Sequence, residues 1–245
     1  MKHQCKDCGS NQIYADRQLG GRLVCNKCGS FVIGWDNRSL RRNSNIIKPF
    51  KSNNIDPVDY QYLAVAGALI AIWIASDLLG LISKDHWMDW SRMMLYQPHR
   101  FFTSALVHLD AKHLLMNLGG IVVARAIFIQ LRMRSNYLFI LLTLLLIPLS
   151  NGLQWVWEAI IVSNLNAASL GFSGVVYGID AFLLLAAIRG KDKFLKLPIN
   201  LTPNYQTRQT MIVLTVVGQV WNFSGGVSIV GHQSGFIAGL LLFLL

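Results

Sequence analysis

A serine and a histidine stand out in this 245-residue chain because both sit in apolar runs. Ser173 lies in Gly171-Phe172-Ser173-Gly174, and His232 in Gly231-His232-Gln233-Ser234-Gly235. A hydroxyl is a poor nucleophile until a base takes its proton, and an imidazole can take that proton and later return it to a leaving amine. A third polar cluster, His108 to Asn117, places His113 and Asn117 four residues apart on one helix face, with His108 five residues before His113. Polar and ionisable groups at membrane depth are costly, so they usually face a bundle interior and serve a function. Each residue alone has a plainer reading. A serine in an apolar helix commonly bonds its own backbone, a single histidine can be a satisfied core residue, and Gly171, Gly174, Gly178, Gly235 and Gly239 could simply let helices pack. Three such clusters at one depth shift the balance. The glycines then acquire a second use, letting two helices approach until Ser173 and His232 can touch.

The elements that must position these residues follow from composition. The chain is 53% hydrophobic and 14% charged, against about 25% charged in soluble domains. Six apolar segments are expected as membrane spans, at about 62–82, 106–129, 137–149, 172–188, 210–223 and 229–245. Pro57 and Asp59 are placed to cap the first. The third, ended at Pro148 and Asn151-Gly152, falls short of the roughly 20 residues a straight span needs, as do the fifth and sixth. Short spans suit a bundle that thins the bilayer or lines a wet cavity. Basic residues concentrate in residues 1–51, at Arg125, Arg132 and Arg134, and from Arg189 to Arg208, whereas only Lys84, Arg92, Arg100 and Lys112 fall on the opposite side. That asymmetry puts both termini in the cytoplasm. Spans two, four and six then all begin at the outer face, where their polar residues can converge. The 84–112 stretch, with Trp87, Trp90, Tyr96, Phe101 and Phe102, suits a loop lying in the interface. The formal net charge is +10. Positive charge beside apolar blocks favours a membrane surface over nucleic acid as partner.

The set H-x4-H-x3-N, G-F-S-G and H-x2-G-x3-G, in that order, resembles the rhomboid family of intramembrane proteases over about residues 60–245. Arg100-Phe-Phe-Thr is similar to the family's loop motif, although His99 stands where the family usually has Trp. The resemblance implies an all-α polytopic bundle of six helices and a serine endopeptidase that cleaves transmembrane helices of other proteins. Ser173 and His232 would form a dyad, with Tyr177 packing on the imidazole. Oxyanion donors would be the Ser173 N–H, His113 and Asn117, Gly171 and Phe172 would flank the nucleophile, and His108 would shape the cavity mouth. Substrates would enter sideways near spans two and five, where Trp221 and Phe223 are candidates for a gate. No carboxylate is placed to orient the imidazole. Asp180, seven residues past Ser173 and roughly 10 Å deeper at about 1.5 Å per residue, reads as a hydrogen-bonded acid facing the bundle.

Cys5-x2-Cys8 and Cys25-x2-Cys28 are separated by sixteen residues. That spacing signals a structural zinc site, and the segment resembles a zinc ribbon over residues 1–34. Four thiolates close the coordination, so this Zn2+ would not be catalytic, and disulfides are disfavoured in a reducing cytoplasm. Residues 35–59 read as a basic linker. The ribbon's partner, whether lipid, protein or nucleic acid, is left open. Two rival readings are a catalytically silent rhomboid-like binder or chaperone and a transporter. The first would be expected to lack Ser173 or His232, and the second would carry polar residues at several depths.

Overall fold

A computed structural model describes residues 13–16, 22–25, 27, 57–133, 135–223 and 228–245. The chain divides into two units, Met1–Asn54 and Ile55–Leu245. In the first, strands β1 (Ile13–Asp16) and β2 (Arg22–Cys25) pair antiparallel, with Ile13 opposite Cys25. Cys25 is buried. Cys5, Cys8 and Cys28 lie outside the described residues, as do residues 35–56 of the expected linker.

The second unit is a helical bundle. A short turn at Pro57–Asp59 leads into α1 (Tyr60–Trp73), which continues as a wider turn through Leu78. A small helix α2 (Lys84–Trp87), strand β3 (Asp89–Trp90) and helix α3 (Arg100–Thr103) follow. Then come α4 (Ala111–Gln130), α5 (Leu138–Trp155) and strand β4 (Ala168–Ser169). Helix α6 (Ser173–Arg189) precedes the hairpin β5 (Lys191–Phe194) and β6 (Leu197–Leu201). Helices α7 (Tyr205–Trp221) and α8 (Ile229–Leu244) complete the bundle. Among the described residues, three helices are long and apolar enough to cross a membrane: Pro57–Leu78, Ala111–Gln130 and Leu138–Ile161. Helices α6, α7 and α8 have 17, 17 and 16 residues.

Two expected boundaries are corrected. The third span does not stop near 149. Pro148 lies inside α5, which runs on through a wider turn to Ile161. A proline removes one ladder hydrogen bond, but apolar surroundings offer no water to compete for the remaining backbone groups, so the helix persists. Asn151 does not break it either, because its amide leaves the helix to donate to Phe101 O and Ser104 Oγ, both at 2.8 Å. The fifth span, α7, starts at Tyr205, five residues before the apolar run, because the Asn204 side chain accepts the Thr207 N–H at 3.1 Å and caps it.

Helix α6 packs on α4, α5, α7 and α8, most extensively on α8. The α6–α8 contact is backbone on backbone. A Cβ added at Gly235 would collide with the carbonyl of Gly174, and one at Gly239 with that of Gly178. Around this seam lies a core that includes Phe128, Phe139, Leu142, Leu146, Phe172, Ile179 and Phe182, all 2% exposed or less.

The long segment before α4 is tied down by Arg100. The guanidinium is 4% exposed and donates to Asp85 O (2.7 Å), Met88 O (2.6 Å) and Gln97 Oε1 (2.6 Å). The arginine thus gathers three points of this loop with His99 beside it, and the Thr103 hydroxyl adds a bond to Trp87 O at 2.9 Å. Strands β3 and β4 pair antiparallel, Asp89 with Ser169 and Trp90 with Ala168, joining the loop to the residues that lead into α6. Gly171 N–H donates to Ser104 O at 2.9 Å, fixing the last turn before Ser173.

Candidate active site

Ser173 is the first residue of α6, and His232 is the fourth of α8. Helix starts place side chains at the end of the bundle, and the glycine seam holds the two axes close. The result is a hydrogen bond of 2.9 Å between Ser173 Oγ and His232 Nε2. His232 is 5% exposed. Ser228 caps α8 by accepting the Gly231 N–H at 3.1 Å, which sets where its first turn, and hence the imidazole, begins.

Tyr177, one turn after Ser173, lies flat on the imidazole with ring centroids 4.2 Å apart and planes at 12°. Its hydroxyl donates to Gly218 O on α7 at 2.7 Å. The other imidazole nitrogen, Nδ1, is 2.6 Å from Asn222 Oδ1, just past the end of α7. Asn222 is 1% exposed. Its Nδ2 donates to Gln219 Oε1 at 3.2 Å, and Gln219 Oε1 also accepts from Gln233 Nε2 at 2.5 Å. Asn222 was not singled out from sequence. It lies ten residues before His232, and a polar residue at a helix end raises no alarm. The available signal was the pair of polar residues Gln219 and Asn222 three apart at the end of an apolar segment.

Gly171 has φ +115, a region open to glycine, and a Cβ there would strike the His113 ring. The His113 ring therefore packs against the residue two before the nucleophile. Its own backbone N–H is capped by Asp110 Oδ1 at 2.7 Å, which starts α4. Asn117, one turn on, is 4% exposed, and its Nδ2 has no hydrogen-bond partner. A buried amide with an idle donor is costly unless a partner arrives. His108 is fully buried and stands edge-on to His113 at 5.2 Å. Phe172 is fully buried and anchors the turn into α6. Asp180 accepts the Thr215 hydroxyl of α7 at 2.8 Å, away from the dyad.

A Rhomboid domain model matches residues 96–245, the stretch from the end of the first loop through α8. The chain belongs to the rhomboid family. No curated protein matches it. As a rhomboid-family protein with three long apolar helices, it is an integral membrane protein. Its Ser173–His232 contact joins the starts of the sixth and eighth helices of this rhomboid domain.

Outside the spanning helices, Asp89 is also perturbed. Asp89, in β3, is 2% exposed, and its Oδ1 has no hydrogen-bond partner. Burial pushes its carboxyl up to about 7, the Glu158 carboxylate adds to the rise, and the Arg100 guanidinium opposes it. This acid belongs to the loop that steadies the approach to Ser173.

Proposed function

We propose that this chain is an intramembrane serine endopeptidase that cuts transmembrane helices of other proteins through a Ser173–His232 dyad. The observation that carries the reading is the 2.9 Å bond from Ser173 Oγ to His232 Nε2, with Tyr177 stacked on the imidazole. Ser173 Oγ attacks the scissile carbonyl carbon while Nε2 takes its proton. The tetrahedral oxyanion collapses, the C–N bond breaks, and the imidazolium returns the proton to the leaving amine. Water, deprotonated by the same nitrogen, then hydrolyses the acyl-enzyme and frees Ser173.

The oxyanion takes hydrogen bonds from the Ser173 N–H, His113 and Asn117. Ser173 opens its helix, so its N–H has no partner in the helical ladder, and the positive end of the helix dipole favours an anion there. The idle Asn117 amide is a donor without other employment. The remaining helices α6, α7 and α8 complete six spans, with both termini cytoplasmic and the dyad opening to the outer face. Substrate helices approach beside α7, whose Val216, Val217, Val220 and Trp221 line an apolar groove together with Phe223 just past its end, which is 81% exposed. Cys5, Cys8, Cys25 and Cys28 hold one structural Zn2+ in a ribbon that meets a cytoplasmic partner.

The test is a fluorescent transmembrane substrate in bilayers together with a fluorophosphonate probe. Wild type cleaves and is labelled at Ser173, while Ser173→Ala and His232→Ala do neither. Cleavage that survives Ser173→Ala would exclude the dyad, and an unlabelled, inert wild type would leave a silent membrane-protein binder as the better reading.

A further inference from the structure

We propose that Asn222 is a positioning residue for the reaction, its side-chain carbonyl holding His232 in the tautomer whose Nε2 is free to accept the Ser173 proton. The inference rests on the protease reading above and concerns how that site is kept competent.

A neutral imidazole carries one N–H, on either nitrogen. For Nε2 to act as base at 2.9 Å from Ser173 Oγ, the hydrogen must sit on Nδ1. An Nδ1–H that is buried needs an acceptor, and Asn222 Oδ1 is at 2.6 Å. An asparagine can present either end of its amide, so the network around it decides. Here Nδ2 points at Gln219 Oε1, which also receives Gln233 Nε2. These contacts form a relay in which the polarities agree: Gln233 and Asn222 both donate to Gln219, Asn222 accepts from His232, and His232 accepts from Ser173. Reversing Asn222 alone would set two acceptors against each other at Gln219. Only reversal of every amide together gives a consistent alternative, and that alternative puts the hydrogen on Nε2 and disables the base.

The arrangement performs part of the work that a carboxylate does in a Ser–His–Asp triad, without burying a charge. Gln219 and Asn222 lie at the end of α7, and Gly218, which holds Tyr177, precedes them. Both supports of the imidazole are therefore anchored on the last turn of that helix.

The experiment uses the full chain in lipid bilayers with the transmembrane substrate. Asn222→Leu, similar in size but without an acceptor, is expected to lower kcat about 10- to 100-fold, the scale of one lost orienting hydrogen bond, with KM within about twofold. Asn222→Asp restores the acceptor and is expected to recover kcat to within about fivefold of wild type. Unchanged kcat in Asn222→Leu, or equal loss in Leu and Asp, would overturn the proposal. If Asn222→Leu fails to fold, 15N spectra of histidine-labelled wild type decide instead, with the His232 signal identified by its loss in His232→Ala. A protonated Nδ1 and a bare Nε2 are expected, and the opposite tautomer overturns the inference. A wild type that neither cleaves nor labels defeats the protease reading, while the tautomer still reports on Asn222.

Discussion

Tyr177 lies face to face with His232, ring centroids 4.2 Å apart, and is itself pinned by the hydrogen bond from its hydroxyl to Gly218 O. The stack limits rotation of the imidazole, and the pin limits rotation of the phenol. The two contributions separate by substitution. Tyr177→Phe keeps the stack and loses the pin, and is expected to retain kcat within about threefold, near the lower end of what one neutral hydrogen bond contributes. Tyr177→Ala loses both and is expected to drop kcat about tenfold or more, within the roughly 5- to 150-fold that an aromatic pair plus that bond corresponds to. Steady-state cleavage of the fluorescent substrate measures both.

Asn117 presents a buried amide donor with no hydrogen-bond partner, and the proposed reaction assigns that donor to the oxyanion. Asn117→Ala is expected to lower kcat about 10²–10³-fold with little change in KM, because the lost interaction exists only in the transition state. Fluorophosphonate labelling of Ser173 should slow in parallel. A variant that raises KM and spares kcat would move Asn117 from oxyanion stabilisation to substrate binding.

The glycine seam makes an asymmetric prediction about folding. Gly235→Ala and Gly239→Ala each drive a methyl into a backbone carbonyl of α6, which no side-chain rotation relieves. Each is expected to cost about 1–3 kcal/mol and to separate Ser173 from His232. Gly67→Ala and Gly119→Ala meet nothing within 4 Å, and are expected to be neutral or to stabilise by up to about 1 kcal/mol. Thermal midpoints in detergent, read beside activity, distinguish the two pairs.

Asp89 gives the protein a pH dependence of stability. Its carboxyl is raised from 3.8 to about 7 in the folded chain, chiefly by burial. Between those values the folded state binds the proton and the unfolded state does not. Stability from this group is therefore full below about pH 4 and is lost as pH rises through about 7. Asp89→Asn is expected to flatten the fall in thermal midpoint over that range and to exceed wild type at pH 8. An identical pH profile in the variant would show that the loop relieves Asp89 in another way.

Much of the bundle was legible because membrane solvation writes a strong local signal. Long apolar runs mark α1, α4 and α5, and polar residues inside such runs are conspicuous by their cost. The small residues at 174, 178, 235 and 239 were readable as a packing device from their four-residue spacing alone. Boundaries were less legible. Pro148 and Asn151-Gly152 carry the chemistry of a helix end, yet α5 passes through them because its apolar setting and the Asn151 contacts to the α3 region remove the reason to stop.

Sequence by itself determined the kinds of side chain that open each helix and their spacing along it, because helical periodicity is a local property of the backbone. It thereby determined that a hydroxyl, an imidazole and an amide would stand near helix starts. Only the tertiary structure decided who meets whom: that α6 and α8 touch along a glycine seam, that Gly171 leans on His113, and that Asn222 closes on the far edge of His232. Those are contacts between helices, set by packing geometry and satisfied hydrogen bonds. The glycine spacing hinted at the first of them, whereas nothing in the spacing pointed to Asn222.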